Sequence, residues 1–135
     1  MTIKRYLLVA AFILLAYCNA LAGGVGTWKS YLAYSDVQWV EEGSNKLYVL
    51  ASNSLYTYNK NDQSIKTYDK VNGLSDTDIR FIAWNKPARR LVIIYSNNNI
   101  DLLDDRGNVT NVPDYYLKTT MADKTVNGID ISGVY

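Results

Sequence analysis

Four oxygen-bearing side chains, Asp101, Asp104, Asp105 and Asn108, crowd one short stretch of the chain. Calcium takes about six to eight oxygen ligands, so such a group could begin a cation site. The alternating D-x-D-x-D-G order of a calcium loop is missing, however, and Asp105-Arg106-Gly107-Asn108 reads as ordinary turn chemistry. No metal and no cofactor are assigned. Glu41-Glu42 is the only glutamate pair. Adjacent strand positions face opposite sides, so the two cannot flank one glycosidic bond as acid and base. Asp36, Asp76 and Asp78 stand just ahead of strand-like segments, where they could bind a ligand or hydrogen-bond nearby backbone. Tyr115 and Tyr116, in the long connector Pro113 to Thr125, are the candidate ligand-binding residues, since exposed tyrosines suit protein or sugar contacts. The alternative is that both tuck against a sheet.

The missing residue types say more. The chain has no histidine, and its one cysteine is Cys18. Ser-His-Asp and Cys-His catalysis and His-ligated zinc are therefore excluded. No catalytic residue is assigned, and a non-enzymatic protein is expected.

Asn72-Gly73-Leu74-Ser75 has the look of a functional loop but lacks the Gly spacing and Lys-Ser/Thr of a phosphate loop, and no helix pattern follows it. It reads instead as a join, with Gly73 at positive φ and Leu74 filling a gap between two repeats. Ser75 or Asp76 would bond nearby backbone.

The elements that must position these groups begin after a leader. Lys4-Arg5, the apolar run Tyr6 to Tyr17 and Ala20-Leu21-Ala22 make a signal peptide over 1–22, with Ala20 and Ala22 at the cleavage site. Twelve apolar residues are too few to span a bilayer of about 30 Å, so an exported chain starting at Gly23 is expected. Lipidation at Cys18 is disfavoured by the bulky Tyr17 before it. Removal of the leader leaves 12 basic against 13 acidic residues, which gives no bulk attraction to nucleic acid or an anionic membrane.

Residues 23–36 read as a lead-in strand. After them the chain repeats itself. Val37-Gln38-Trp39-Val40, Leu47 to Ala51, Leu55 to Tyr58 and Ile65 to Tyr68 are four short strands separated by polar turns. Ile79-Arg80-Phe81-Ile82, Leu91 to Tyr95, Asn99 to Leu103 and Asn108 to Val112 follow in the same order, displaced by 42 to 44 residues. Val126 to Ile131 starts the pattern a third time. A period near 45 with four strands per unit predicts an all-β chain of β-propeller blades. The units would span 37–78, 79–125 and the opening of a third at 126–135, about two and a half blades. A β-sandwich is the rival all-β arrangement. Lone blades would leave apolar faces uncovered, so poor solubility or oligomerisation is expected of these residues on their own.

Asn72-Gly73-Leu74-Ser75-Asp76 ahead of an I-x-x-I strand resembles the joins of exported bacterial propellers, including the periplasmic sensors of hybrid two-component systems. The run Leu91 to Leu103, ending Ile100-Asp101-Leu102-Leu103, is more similar to PorZ-type proteins of the type IX secretion system. Asn98 stands where that family often has glycine, a substitution that the left-handed turn position tolerates. The resemblance implies an interaction scaffold in a cell-surface attachment complex. Its implied partners are other proteins, among them a sortase-like peptidase, and lipopolysaccharide. It also implies a cell-surface, outer-membrane or periplasmic location, and a chain that is the front of a longer protein. The alternative is a sensor propeller that binds oligosaccharide. A third possibility is a carboxylate-dependent enzyme built on a propeller.

Overall fold

The computed structural model describes residues 34–119 and 124–132. The expected cleavage residues Ala20 and Ala22, Cys18 and most of the lead-in segment lie outside them. Tyr34 to Asp36, its last residues, form no strand.

Alternating segments, and two nearly continuous apolar runs, give eight strands in chain order. The first four are β1 (Val37–Glu42), β2 (Lys46–Ala51), β3 (Ser54–Asn59) and β4 (Ile65–Tyr68). After a 3-10 turn at Lys70–Asn72 come β5 (Ile79–Asn85), β6 (Arg90–Tyr95), β7 (Ile100–Asp104) and β8 (Val109–Asn111). A one-turn helix, α1 (Asp114–Leu117), closes the series. The strands form two four-stranded antiparallel meanders, β1-β2-β3-β4 and β5-β6-β7-β8. Both first strands run further than the alternation alone suggests, into Glu41-Glu42 and as far as Asn85. Pairing with the second strand carries them there, through Glu42 opposite Leu47 and Asn85 opposite Arg90.

Two of the hairpin turns rest on asparagine. Ser52 and Asn53 both take positive φ (47° and 58°), as a two-residue hairpin turn of the primed type requires. Asn98 sits at φ 67°, the left-handed position expected of it.

Cross-strand partners share a face, so the registers show how the sheets stack. Tyr48 and Leu50 of β2, with Leu55 of β3 and Tyr68 of β4, join one core with Ile82 of β5, Leu91, Ile93 and Tyr95 of β6 and Leu103 of β7. Leu55, Leu91, Ile93 and Leu103 are fully buried, each contributing about 1.5–3 kcal/mol. In the repeat, Leu91 and Ile93 correspond to Leu47 and Val49, not to Tyr48 and Leu50. One face of the first sheet therefore packs on the opposite face of the second. A two-fold sandwich would bring like faces together, whereas propeller blades stack in this head-to-tail sense.

Val126 to Ile131, expected to open a third repeat, has no regular secondary structure. A first strand here is held by a second, and none follows among the described residues. The backbone N–H of Val126 nevertheless donates to Asn98 Oδ1 (3.1 Å). At the corresponding place in the previous unit, Ile79 N–H donates to Asn53 O (2.9 Å).

Candidate functional site: the seam between the two sheets

The connector from Tyr68 to Ile79 is shaped by its own side chains. Asp69 caps the 3-10 turn by accepting from Asn72 N–H (2.9 Å), and Gly73 then reverses the chain at φ 110°, a region that L side chains rarely adopt. Leu74 thereby enters the core at 5 % exposure, where it plugs the gap between the sheets. The expectation for Gly73 and Leu74 is met. Ser75 contributes through its backbone N–H, which reaches Asp101 Oδ2 (2.8 Å).

Asp101 is the residue whose role the sequence concealed. It is completely buried on β7 and accepts from the Tyr95 hydroxyl (2.6 Å), the Ser75 N–H and the Asn111 amide (2.8 Å). Burial, and then the Asp101 carboxylate, push the Tyr95 hydroxyl far above the usual phenol range, so it remains a donor. This carboxylate ties the seam to the second sheet. Its signal was present in the alternation, since Asp101 shares a face with Leu103.

The proposed calcium donors do not converge. Asp104 accepts from Asn108 through both backbone (2.8 Å) and amide (2.9 Å), whereas Asp105 pairs with Arg89 (2.6 Å). Asp101 points into the core. Glu41 and Glu42 part as expected: Glu41 accepts from Trp84 N–H of the second sheet (3.3 Å), and Glu42 pairs with Lys60 (2.5 Å).

A cleft of about 130 Å³ opens beside the seam, floored by Tyr68, Leu74 and Ile79 and edged by Asn53, Asp76 and Asp78. Of Asp36, Asp76 and Asp78, the aspartates expected ahead of strand-like segments, two thus line one site. Asp76 meets Thr77 N–H (2.9 Å), the Asn97 amide and Lys70 (3.6 Å). Burial raises its pKa, but these donors and the lysine outweigh that and hold it below the usual range. Asp76 is an ionised acceptor, the wrong state for a general acid. Asp78 accepts from the Asn53 amide (2.8 Å). Asp36 lies outside the cleft. Its backbone carbonyl accepts from Ser52 N–H (2.8 Å), just as that of Asp78 accepts from Ser96 N–H (3.0 Å). The arrangement can bind and position a ligand.

Tyr115 and Tyr116 lie apart on α1, 41 % and 50 % exposed. Tyr115 donates from its hydroxyl to Lys124 O (2.9 Å), and Lys124 Nζ donates back to Tyr115 O (3.2 Å). Elsewhere, the Tyr48 hydroxyl is buried without a hydrogen-bond partner among the described residues, its ring stacked on Trp84 at 5.2 Å. Burial, with lesser contributions from Asp105, Tyr68 and Asp104, pushes this hydroxyl well above the phenol range.

Head-to-tail four-stranded meanders joined by a plugged seam define a segment of a β-propeller. The family model for the type IX secretion system PorZ N-terminal β-propeller domain matches residues 47–135, and the chain belongs to that family. Among solved structures it is similar to PorZ of Porphyromonas gingivalis, described as an essential bacterial surface component of the type IX secretion system. Identity there is 37 %, with 80 % of this chain and 15 % of that chain covered and a TM-score of 0.73. The chain thus spans about 15 % of the length of that relative. The N-terminal domain of Nup159 is more distant, at 20 % identity over 57 % of this chain and 20 % of that one, with a TM-score of 0.44. No curated protein matches the chain. No helix among the described residues is long and apolar enough to cross a membrane.

Proposed function

We propose that these residues form the opening blades of a non-catalytic interaction scaffold at the bacterial surface, acting in type IX secretion. Family membership carries the reading, and the seam supports it, because its polar groups are committed to holding one sheet against the next. The partners are other proteins of a surface attachment complex, together with lipopolysaccharide. The location is the outer membrane or cell surface of an exporting bacterium, after removal of the leader at Ala22. Residues 126–135 begin a third blade, a reading supported by the bond from Val126 to Asn98. Exposed Tyr115 and Tyr116 are the proposed contact residues of this segment.

Gene deletion in the native bacterium is the test, scored by surface display of a cargo bearing a type IX sorting signal. Loss of display, restored by the wild-type gene, is expected. Restoration should fall with the Tyr115→Ala, Tyr116→Ala double variant at equal protein abundance. Unchanged display after deletion would overturn the secretion role. Full restoration by the double variant would overturn only the tyrosine assignment.

A further inference from the structure

We propose that the cleft beside the seam receives a lysine side chain of a partner protein, its methylenes on the apolar floor and its ammonium among the carboxylates of the rim. The lining residues run from the Asn53 turn through the seam to Ile79. The cleft therefore lies at the junction of the two sheets, away from their outer faces. Its geometry carries the assignment, independently of the secretion role.

Buried Tyr68, Leu74 and Ile79 make the floor apolar, and Val71, 61 % exposed, continues it to the lip. Such a floor favours hydrocarbon over a hydrated ion. The rim adds charge, with the carboxylates of Asp69, Asp76 and Asp78 against the single ammonium of Lys70. A ligand with an apolar stem and a positive head matches both parts. Lysine is such a side chain, since it lays its stem along apolar surface while its ammonium stays at the edge. Lys70 shows that the rim accepts an ammonium: its Nζ lies 3.6 Å from Asp76 Oδ1, with more than half the side chain exposed. So loose a pair yields readily to an incoming cation.

The rim also discriminates among cations. Asp69 Oδ1 accepts from Asn72 N–H, and Asp78 Oδ1 from the Asn53 amide. Asp76 Oδ1 accepts from Thr77 N–H, and its Oδ2 from the Asn97 amide. No rim carboxylate keeps both oxygens clear for the paired donors of an arginine fork. An ammonium is a point charge with three donors and needs only single oxygens, such as Oδ2 of Asp69 and of Asp78. A divalent cation is a poorer match, because among the described residues no three acidic side chains converge as its ligands would.

The test titrates acetyl-Gly-Lys-Gly-amide, and its norleucine and arginine counterparts, into the isotope-labelled chain from Gly23 onward at low salt. The amide resonances of Val71, Leu74 and Thr77 are followed by nuclear magnetic resonance. Saturable shifts there, with a Kd of about 1 mM, are expected for the lysine peptide. The norleucine peptide keeps the stem without the charge and should bind at least about tenfold more weakly, and the arginine peptide should also bind more weakly than lysine. Lys70→Gln removes the competing ammonium and should tighten the lysine peptide about threefold. The Asp69→Asn, Asp78→Asn double variant should weaken it about tenfold. Asp78→Asn alone, with about a threefold loss, serves if the double variant loses its cooperative melt by circular dichroism. Asparagine there keeps the oxygen that accepts from Asn53 and tolerates φ 59°. Absence of saturable shifts up to about 10 mM would overturn the proposal. So would norleucine or arginine binding as tightly as lysine, or aspartate variants with unchanged affinity.

Discussion

Replacing Asp101 by alanine removes the acceptor for three donors at once, the buried Tyr95 hydroxyl, the N–H of half-buried Ser75 and the amide of exposed Asn111. Oδ2 takes both the Ser75 N–H and the Tyr95 hydroxyl, and Oδ1 takes the Asn111 amide, all between 2.6 and 2.8 Å. A buried donor left unsatisfied costs about 1–3 kcal/mol. Water entering the space, together with the second bond of Asn111 to Asn99 Oδ1, offsets part of that. A net loss of about 2–4 kcal/mol is expected, a large share of the roughly 5–15 kcal/mol that holds a typical domain together. Asp101→Asn is the sharper variant. Its carbonyl can keep the Oδ2 position, and its amide then faces an Asn111 side chain able to turn its own oxygen inward. That variant should lose only about 1–2 kcal/mol. Urea denaturation followed by far-ultraviolet circular dichroism gives both numbers, provided the slope with denaturant is unchanged. An alanine variant within about 1 kcal/mol of wild type, or an asparagine variant as costly as alanine, would refute the tie between seam and second sheet.

Four further outcomes follow from the seam and the hairpin turns. Gly73→Ala should cost about 1–2 kcal/mol, because φ is 110° although no atom lies within 4 Å of the added carbon. Ser75→Ala should stay within about 0.5 kcal/mol, since Ser75 acts through its backbone, and the same urea titrations compare the two. Leu74→Ala empties the plug and should cost about 2–5 kcal/mol by thermal or chemical melting. Asp104 is held below the usual carboxylate range, chiefly by the Asn108 amide and then by backbone N–H groups. A lowered folded pKa stabilises fully above the unfolded value near 4, and that contribution drains away as pH falls through the folded one. Asn108→Ala should therefore flatten the acid limb of the stability–pH curve, and an unaltered limb would argue against this coupling.

Much of the fold was legible because the strands either alternate or, in β2 and β6, run almost continuously apolar, and the hairpins between them are punctuated by Asn, Asp, Gly or Pro. Val37 to Tyr68 and Ile79 to Asn111 form the two expected four-strand orders. The stacking sense was harder to read, because Leu47 and Tyr48 are both apolar and only the neighbouring sheet decides which is covered. Asp101 was misplaced for a related reason. Grouped with Asp104, Asp105 and Asn108 it looked like a cation ligand, whereas the period of two sets it among core residues, where lone carboxylates are rare. The α1 turn had no sequence signal, since Asp114 to Leu117 is too short for a helical period. The cleft at the seam joins Asn53 to Asp76 and Asp78 across 25 residues, a proximity that only the stacking creates.

The propeller stacking turns on which faces meet between the sheets, and proton–proton nuclear Overhauser spectroscopy of the chain from Gly23 onward reads that directly. Head-to-tail stacking predicts cross-peaks between the Tyr48 ring and the Trp84 indole, stacked here at 5.2 Å, and none between Tyr48 and the Val92 methyls on the far face. Cross-peaks from Tyr48 to Val92 without any to Trp84 would mean that like faces meet, and would contradict the propeller account.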